Sequence, residues 1–420
     1  MRTWMKRGGI PALGVLALLL LTGTAGNATP NLARKYKTSC STCHYAYPKL
    51  NAFGKAFFNN GYRYPAGQDP EMTKEEPVSL GSESQKRVFP DAVWPADIPG
   101  TSPLSIHAIG RAYYKPDSEV KTYFEFPHEL ELLFGGTMGE TFSMFGEVEL
   151  EIEANEVETV FPFFLQYDYR PWLHARMGTV SPEFTGNHHR LTREHNNVAS
   201  LRSRYGWRLR DDQSGVEVWG ARNGPGGRGG LTYGVGLVNG QQIIDANSEK
   251  DLYVRAAYKF SGLGELGSTE GQASETSAFY VDDSAKIGGF AYLGTLSKED
   301  AEDEDLKVLG LTFDLWYGRA SVLGALMSMN SAISGASDRT SLAWFGEGNY
   351  VVYPWLIGVA RFERTDADTD DDTRDPVTTL IPAVVAVARP NVKFSLEYKL
   401  PLDDASKKSK ALVMQMNYAF

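Results

Sequence analysis

The chain contains little cysteine, since Cys40 and Cys43 are the only two among 420 residues. A four-ligand structural zinc site built on two cysteine pairs is therefore excluded. After the first thirty positions the sequence also lacks any run of about 18 consecutive apolar residues, so it predicts no transmembrane helix in the mature chain. The formal net charge of −10 argues against a nucleic-acid partner.

The first thirty residues have the three parts of a secretory signal. Basic residues precede an apolar segment at 10–21, and small residues follow it. The apolar segment is shorter than the ~20 residues that a spanning helix needs. The sequence therefore predicts a signal peptide over residues 1–28 and an exported protein, with an uncleaved membrane anchor as the alternative.

Both cysteines belong to one motif, in which His44 directly follows Cys43 and completes C-x-x-C-H. This spacing is typical of c-type haem attachment, in which two thiols add to two vinyl groups and the adjacent histidine reaches the iron. A redox dithiol is an alternative, but such pairs usually lie in a βαβ context, which the surrounding sequence lacks. The motif predicts one covalent c-type haem with Cys40 and Cys43 as attachment points and His44 as an iron ligand.

A short amphipathic helix is predicted directly after the motif. Leu50, Phe53 and Phe57 share one face of it, and we expect this face to pack against the haem. The second axial ligand of the iron is not identified by a motif. Met72 and His107 are the candidates, and an open or water-bound position is the third possibility.

Alternation of apolar and polar residues dominates the chain from Leu104 onward. The segment 392–400 places Leu396 and every second residue on one face, and Glu397 and its alternating neighbours on the other. One apolar and one aqueous face are typical of strands in an outer-membrane barrel. The sequence ends on Phe420, and an aromatic terminus on an amphipathic last strand favours the same class. A soluble all-β protein is the alternative.

The predicted fold class is therefore all-β, a transmembrane outer-membrane barrel of 16–18 antiparallel strands with a small α-helical haem segment before it. The barrel is predicted over residues 104–420, with strands that include 199–210 and 274–282. The haem segment is predicted over 29–64 and a linker or plug over 65–103, on the periplasmic side or inside the lumen. An even strand number places both ends of the barrel in the periplasm.

Two groups of residues are candidates for cation binding. The glutamates on the aqueous face of the second and third predicted strands are Glu125, Glu129, Glu131, Glu147, Glu149, Glu151 and Glu153. Like charges on neighbouring strands repel, and a pore of one sign concentrates ions of the other. A long outer loop carries His188, His189 and His195, and imidazole and carboxylate both suit Fe(II). Both groups also fit an ordinary hydrated lumen and loop.

The segment 28–62 resembles the fused monohaem cytochrome–porin family of outer-membrane iron oxidases. The residues that carry the resemblance are Pro30, Ala33, Arg34, Cys40, Cys43, His44, Pro48, Leu50, Phe53, Gly54, Phe57, Gly61 and Tyr62. Tyr47 stands where the family tends to have phenylalanine. The resemblance implies a lipid-embedded protein that passes electrons from extracellular Fe(II) through one haem to a periplasmic cytochrome. Electron export to an extracellular acceptor, or a porin or transporter with a haem-bearing plug, is the alternative.

Overall fold

The computed structural model describes most of the chain after residue 30. The described ranges are 31–76, 78, 81–92, 100, 102–153, 156–180, 184, 191–192, 201–209, 213–240, 247–267, 278–298, 301–371, 373, 375–403 and 406–420. The predicted signal peptide, residues 1–28, lies outside the described residues. The same holds for His188, His189 and His195, and for the side chain of Glu153.

The residues before the barrel form a small, mainly helical N-terminal segment. Its helices are α1 (Asn31–Tyr36), α2 (Ala52–Asn59), α3 (Asp69–Met72) and α4 (Ser82–Val88), with 3₁₀ turns at Cys40–Thr42 and Pro65–Gly67. A two-stranded hairpin, β1 (His44–Ala46) and β2 (Lys49–Leu50), lies between the first turn and α2. None of the described helices is long and apolar enough to cross a bilayer.

The rest of the described chain is a closed antiparallel barrel. Its strands are β3 (Leu104–Tyr114), β4 (Thr122–Met138), β5 (Phe142–Glu153), β6 (Glu156–Val160), β7 (Phe163–Arg170), β8 (Leu173–Val180), β9 (Gln213–Asn223), β10 (Arg228–Val238), β11 (Asp251–Leu263), β12 (Ser284–Leu296), β13 (Glu304–Tyr317), β14 (Ala320–Ile333), β15 (Arg339–Tyr353), β16 (Leu356–Asp366), β17 (Val377–Arg389), β18 (Val392–Pro401) and β19 (Ala411–Ala419). Pairing of β19 with β3 closes the ring.

The seventeen strand segments of the described chain make sixteen barrel strands. The segments β6 and β7 both pair with β5, so they are two parts of one strand that is interrupted at Phe161 and Pro162. Proline cannot donate to a sheet ladder, which explains the break at this position. Leu104 and Ala419 therefore lie at the same end of the barrel, which we call the terminal end. The predicted even number of 16–18 strands is confirmed.

Burial along the strands is inverted relative to a water-soluble protein. In β18, Glu397 and Lys393 face the lumen and are 1% and 4% exposed, whereas Leu396 faces outward and is 49% exposed. At the terminal end the aromatic rings of Tyr353 and Trp355 are exposed and stack with their centroids 5.6 Å apart. An apolar outer wall with aromatic residues near its rim is the pattern of a barrel in a bilayer. The alternation predicted from the sequence is confirmed.

Two predicted strands are wrong. Residues 201–209 form only an isolated bridge between Arg202 and Arg208, and Leu201, Trp207 and Leu209 are buried in the lumen. The indole of Trp207 packs 4.9 Å from the ring of Tyr292 in β12. These apolar residues fold inward and contribute to an apolar cluster there, where the sequence pattern predicted a wall strand. The described part of the second predicted strand, 278–282, is turn and loop.

The part of the N-terminal segment around α2 lies inside the barrel and is anchored to its wall by polar contacts. Lys55 of α2 forms an ion pair with Asp314 of β13. The side-chain amide of Asn59 donates to Glu265 Oε2 at 2.9 Å. Contacts to separate parts of the barrel fix α2 across the lumen, so the segment has the position of a plug.

Candidate functional site

The C-x-x-C-H motif forms a tight turn that α2 holds in place. Cys40–Thr42 is one 3₁₀ turn, and the backbone N–H of Asn51 donates to the Cys43 carbonyl at 2.9 Å. The side-chain amide of Asn51 also donates to the carbonyls of Ser41, at 3.2 Å, and Thr42, at 3.1 Å. Because Asn51 caps α2 as well, with its Oδ1 accepting from the Gly54 N–H at 2.8 Å, the turn and the helix form one unit.

The two cysteines are not joined by a disulfide, and both are partly buried. Burial raises the pKa of Cys40, and it raises the pKa of Cys43 to about 12. Redox dithiols work through a thiolate whose pKa is lowered by its surroundings. Burial instead raises the pKa of both thiols, which disfavours the thiolate that a redox dithiol needs.

His44 is oriented by its own turn. Its Nδ1 lies 3.3 Å from the Pro48 carbonyl, and a carbonyl can only accept, so Nδ1 donates the proton. The lone pair of the ring is then at Nε2. A ring fixed through Nδ1 to a backbone carbonyl is the usual arrangement of a histidine that binds a metal through its other nitrogen.

A cavity of about 600 Å³ lies against the motif, and we call it the motif cavity. Cys40, Cys43 and His44 line one side, and residues of the barrel line the other. The volume falls within the range of about 300–1,000 Å³ that is common for cofactor and ligand sites. Much of the wall is apolar or aromatic, which suits a large flat organic group rather than a hydrated ion.

Two of the three predicted packing residues line the motif cavity, namely Leu50 and Phe57. Phe53 does not line it, and its ring packs 6.4 Å from that of Phe57 and 5.1 Å from that of Tyr64. Phe53 therefore supports the cavity wall from a second layer. Helical spacing placed the three residues on one face but did not separate those that line the cavity from the one behind them, and packing against a haem stays a prediction.

Only one of the two candidate axial ligands lies at the motif cavity. His107 of β3 lines it and is 1% exposed, whereas Met72, at the end of α3, is not among the described lining residues. His107 Nδ1 is 2.7 Å from Glu131 Oε2, and Nε2 is 3.1 Å from the Asn417 amide nitrogen. The carboxylate accepts the Nδ1 proton and the amide donates to Nε2, so Nε2 carries the lone pair, as in His44.

The predicted glutamates whose side chains the structure describes line one side of the lumen, which we call the acidic wall: Glu125, Glu129, Glu131, Glu147, Glu149 and Glu151. Glu129 of β4 is directly opposite Glu151 of β5, and Glu131 is directly opposite Glu149. Glu129 and Glu131 are buried. Glu147 lines a second cavity of about 510 Å³, which adjoins the motif cavity across α2 and also contains mixed ion pairs such as Arg255 with Glu217.

His128 also belongs to this wall, although the strand alternation assigns it to the opposite face from Glu129. Along β4, Glu125 pairs with Arg111 and Glu129 pairs with Ile109, so three residues of β4 oppose one of β3. This bulge turns His128 inward, where it is 5% exposed. Pro127 within the bulge has no N–H to donate, and a proline in a strand run is a sequence signal of such an irregularity.

No family model matches the sequence, and no curated protein matches it. Solved porin structures are similar in fold. An anion-selective porin from Comamonas acidovorans aligns with a TM-score of 0.51 and 11% identity over 76% of this chain and 98% of the porin. Salmonella typhi OmpF, in complex with daunomycin, aligns with a TM-score of 0.54 and 10% identity over 76% of this chain and 97% of its own.

The chain has the porin fold. At this identity the likeness shows the fold alone, a porin-type outer-membrane β-barrel. The predicted all-β outer-membrane barrel with a small helical segment before it is thereby confirmed.

Proposed function

We propose that the chain is an outer-membrane electron-transfer protein, which carries electrons from extracellular Fe(II) through one covalent haem to a periplasmic cytochrome. The observation that carries the proposal is the motif cavity. A C-x-x-C-H turn, a histidine fixed through Nδ1 and a cavity of about 600 Å³ occur together inside a porin-type barrel. The family resemblance of the segment 28–62 supplies the donor and the acceptor.

The residues of the turn fit the attachment of a c-type haem. Cys40 and Cys43 would each add their S–H across one vinyl group, with the sulfur bonded to carbon and the hydrogen on the neighbouring carbon. His44 would bind the iron through Nε2. When bound, the haem supplies a one-electron Fe(III)/Fe(II) couple.

The side chains of the motif cavity would exclude water from the haem and would offer its iron a second ligand. Phe57 and Tyr64 close one side of the cavity, and Leu133 and Phe145 of the barrel contribute to the other. His107 carries its lone pair on Nε2, while Glu131 holds the Nδ1 proton. The Asn417 amide donates to Nε2 in this structure, and iron binding would replace that hydrogen bond. We propose His107 over Met72 as the second axial ligand for this reason.

The position of the motif cavity favours an acceptor in the periplasm. Trp355 and Asn391, which line it, belong to the short turns that join β15 to β16 and β17 to β18. These turns are at the terminal end of the barrel. In outer-membrane barrels with an even strand number the chain ends and the short turns face the periplasm.

The acidic wall favours a cationic donor. A lumen lined by one sign of charge raises the local concentration of ions of the opposite sign. Six glutamates on two neighbouring strands give the lumen this character on one side: Glu125, Glu129, Glu131, Glu147, Glu149 and Glu151. Extracellular Fe(II) is the cationic substrate that the family resemblance implies.

A second candidate is a porin or transporter with a haem-bearing plug, and the porin fold is the observation that favours it.

Electron export would use the same residues as iron oxidation. The midpoint potential separates these directions, because a positive value favours Fe(II) as donor and a strongly negative one favours export.

The test is the absorbance of the haem in membranes that contain the full-length protein. Anaerobic Fe(II) should reduce it, and the Cys40→Ala/Cys43→Ala variant should carry no covalent haem. A haem that dithionite reduces but Fe(II) leaves oxidised would exclude Fe(II) as the donor. Unchanged ion conductance on loss of the haem, together with such a result, would favour the porin function.

A further inference from the structure

His128 is a buried polar side chain whose ring nitrogens have no hydrogen-bond partner among the described residues. Nδ1 lies 2.7 Å from Glu125 Oε2 and Nε2 lies 3.3 Å from Glu151 Oε1. Both contacts are within ion-pair distance, which requires a protonated ring, but neither has the geometry of a hydrogen bond. Glu125 Oε2 has no hydrogen-bond partner among the described residues either. Buried polar atoms of this kind are costly unless another group satisfies them.

The neighbours of His128 supply further metal-ligating atoms. His128, Glu129 and Glu151 each offer one ligand atom, and these three atoms lie within 4.8 Å of one another. A second set of the same kind is formed by His107, Glu129 and Glu131, so Glu129 is common to both. Since Glu129 and Glu151 are directly opposite in the ladder, their carboxylates repel unless a cation lies between or beside them.

We propose that His128, Glu129 and Glu151, with Glu125 beside them, bind a divalent first-row transition-metal ion in the lumen wall. One imidazole with several carboxylates suits Fe(II), Mn(II), Co(II) or Zn(II). Cation binding itself does not depend on the proposed electron transfer. Only the assignment of the cation as Fe(II), the substrate, rests on that function.

The site lies close to the motif cavity. Glu129 pairs with Ile109, which is two residues along β3 from His107, and this spacing corresponds to about 7 Å along a strand. Ile109 is further from the terminal end than His107, so the cation site is on the outer side of the cavity. A cation bound there would be adjacent to His107, on the path from the outer end of the lumen.

One positive side chain of the same wall competes with this interpretation. Arg111 pairs with Glu125 across the ladder, and its guanidinium donates to Gln415 Oε1 at 2.6 Å and to Tyr113 Oη at 3.2 Å. If Arg111 already compensates the charge of the carboxylates, the cluster is structural and binds no metal. Metal titration of the wild-type protein decides between these outcomes.

The test is Mn(II) binding to the full-length protein in detergent, measured by the loss of the free Mn(II) EPR signal, with Co(II) absorption as a second probe. We expect one tight site per chain. His128→Gln and Glu129→Gln should each weaken binding by at least about tenfold, because even outer partners of metal ligands contribute about 10–100-fold in affinity. Glu397→Gln is the matched control, because it removes a buried lumenal carboxylate of β18.

Absence of a tight Mn(II) or Co(II) site in the wild-type protein overturns the proposal. Equal weakening by Glu397→Gln overturns it as well, since the effect would then be the general charge of the lumen. Folding of each variant is checked by the heat-dependent mobility of the barrel in gel electrophoresis. His128→Gln keeps a side chain of similar size, so it remains informative if a smaller residue prevents folding.

The same samples separate this proposal from the proposed function. If the protein binds Mn(II) but Fe(II) does not reduce the haem, the metal site is supported and Fe(II) is excluded as the electron donor. The opposite outcome has two parts: the wild type binds no Mn(II), and Fe(II) reduces the haem of His128→Gln at the wild-type rate. That outcome would support the proposed electron transfer and exclude the metal site. Binding in the Cys40→Ala/Cys43→Ala variant shows directly that the site does not require the haem.

Discussion

Gly54 lies directly against the carbonyl oxygen of Cys43, so closely that a Cβ at position 54 would overlap that oxygen. The helix α2 can therefore approach the C-x-x-C-H turn only where it has no side chain. The same contact allows Asn51 to cap the helix and hold the turn. Attachment of the proposed haem and docking of the helix would thus depend on one backbone approach.

Gly54→Ala should reduce the fraction of chains that carry covalent haem. The added methyl must push α2 from the turn, and overpacking of this kind costs about 1–3 kcal/mol. The measurement is the ratio of haem absorbance to protein after purification. Gly346→Ala is the control, because a Cβ at that position meets no atom within 4 Å. Equal haem content in both variants would contradict the prediction.

Lys49→Met should remove a pH dependence of the stability of the N-terminal segment. Lys49 is 1% exposed, its Nζ lies 5.5 Å from the ring centre of Tyr45 and 5.1 Å from that of Trp316, and burial lowers its pKa to about 8. Above pH 8 the folded segment loses this proton, while the unfolded segment keeps it up to the ordinary pKa of 10.5. The unfolded state then binds more protons, so this lysine makes the free energy of unfolding rise with pH across that window.

The rise attributable to Lys49 is expected to reach about 3 kcal/mol by pH 10.5. It is measured as the difference in denaturation midpoint between wild type and Lys49→Met at several pH values. Lys37→Met is the control, because Lys37 is exposed. A difference between wild type and Lys49→Met that stays constant from pH 7 to pH 10.5 would refute the assignment.

The sequence was sufficient for the barrel and for the motif because both depend on local spacing. A strand alternates its faces at every residue, so Leu396 and Glu397 could be assigned to opposite sides without knowledge of their neighbours. The C-x-x-C-H motif is equally local. The porin-type fold and the position of Cys40, Cys43 and His44 on one cavity agree with these predictions.

The errors come from features that alternation does not encode. Trp207 is apolar, and an apolar side chain can be buried in a cluster inside the lumen as well as against lipid. The sequence pattern alone does not distinguish the two positions. His128 was missed because a bulge shifts its face, and the size of a bulge depends on the partner strand. His107 was identified as a candidate, but its shared cavity with His44 depends on how the N-terminal segment docks.

Asp168→Asn should release the N-terminal segment from the barrel wall. Arg63 NH1 donates to Asp168 Oδ2 at 2.8 Å, and His174 Nδ1 lies 2.7 Å from Asp168 Oδ1, all in a largely buried setting. Removing one partner of a buried pair costs about 3–5 kcal/mol, because the remaining charge is left without compensation. Single-channel conductance in a planar bilayer should therefore increase.

Lys86→Met is the matched control for this change. Its ion pair with Glu83 spans 3.3 Å, but both side chains are exposed, and such pairs contribute about 0–1 kcal/mol. We expect its conductance to equal that of the wild type. The same conductance in Asp168→Asn would show that Asp168 does not hold the segment in the lumen.

If His107 is the second iron ligand, as we propose, His107→Met should raise the midpoint potential of the proposed haem, whereas Met72→Leu should leave it unchanged. A methionine axial ligand raises the potential relative to histidine. His107 lines the motif cavity together with His44, with the Tyr47 ring centre 5.4 Å from that of His44 and 4.9 Å from that of His107. Met72 is at the end of α3 and is not among the described residues that line the cavity.

Redox titration followed by absorbance gives the potential, and His107→Gln gives a second readout. Glutamine is a poor iron ligand, so loss of His107 should convert a six-coordinate low-spin spectrum into a high-spin one. Glu131→Gln should cause a smaller shift toward the high-spin spectrum, because Glu131 would act on the iron only through the Nδ1 proton of His107. A wild-type spectrum in His107→Gln, combined with a changed one in Met72→Leu, would assign the second axial position to Met72.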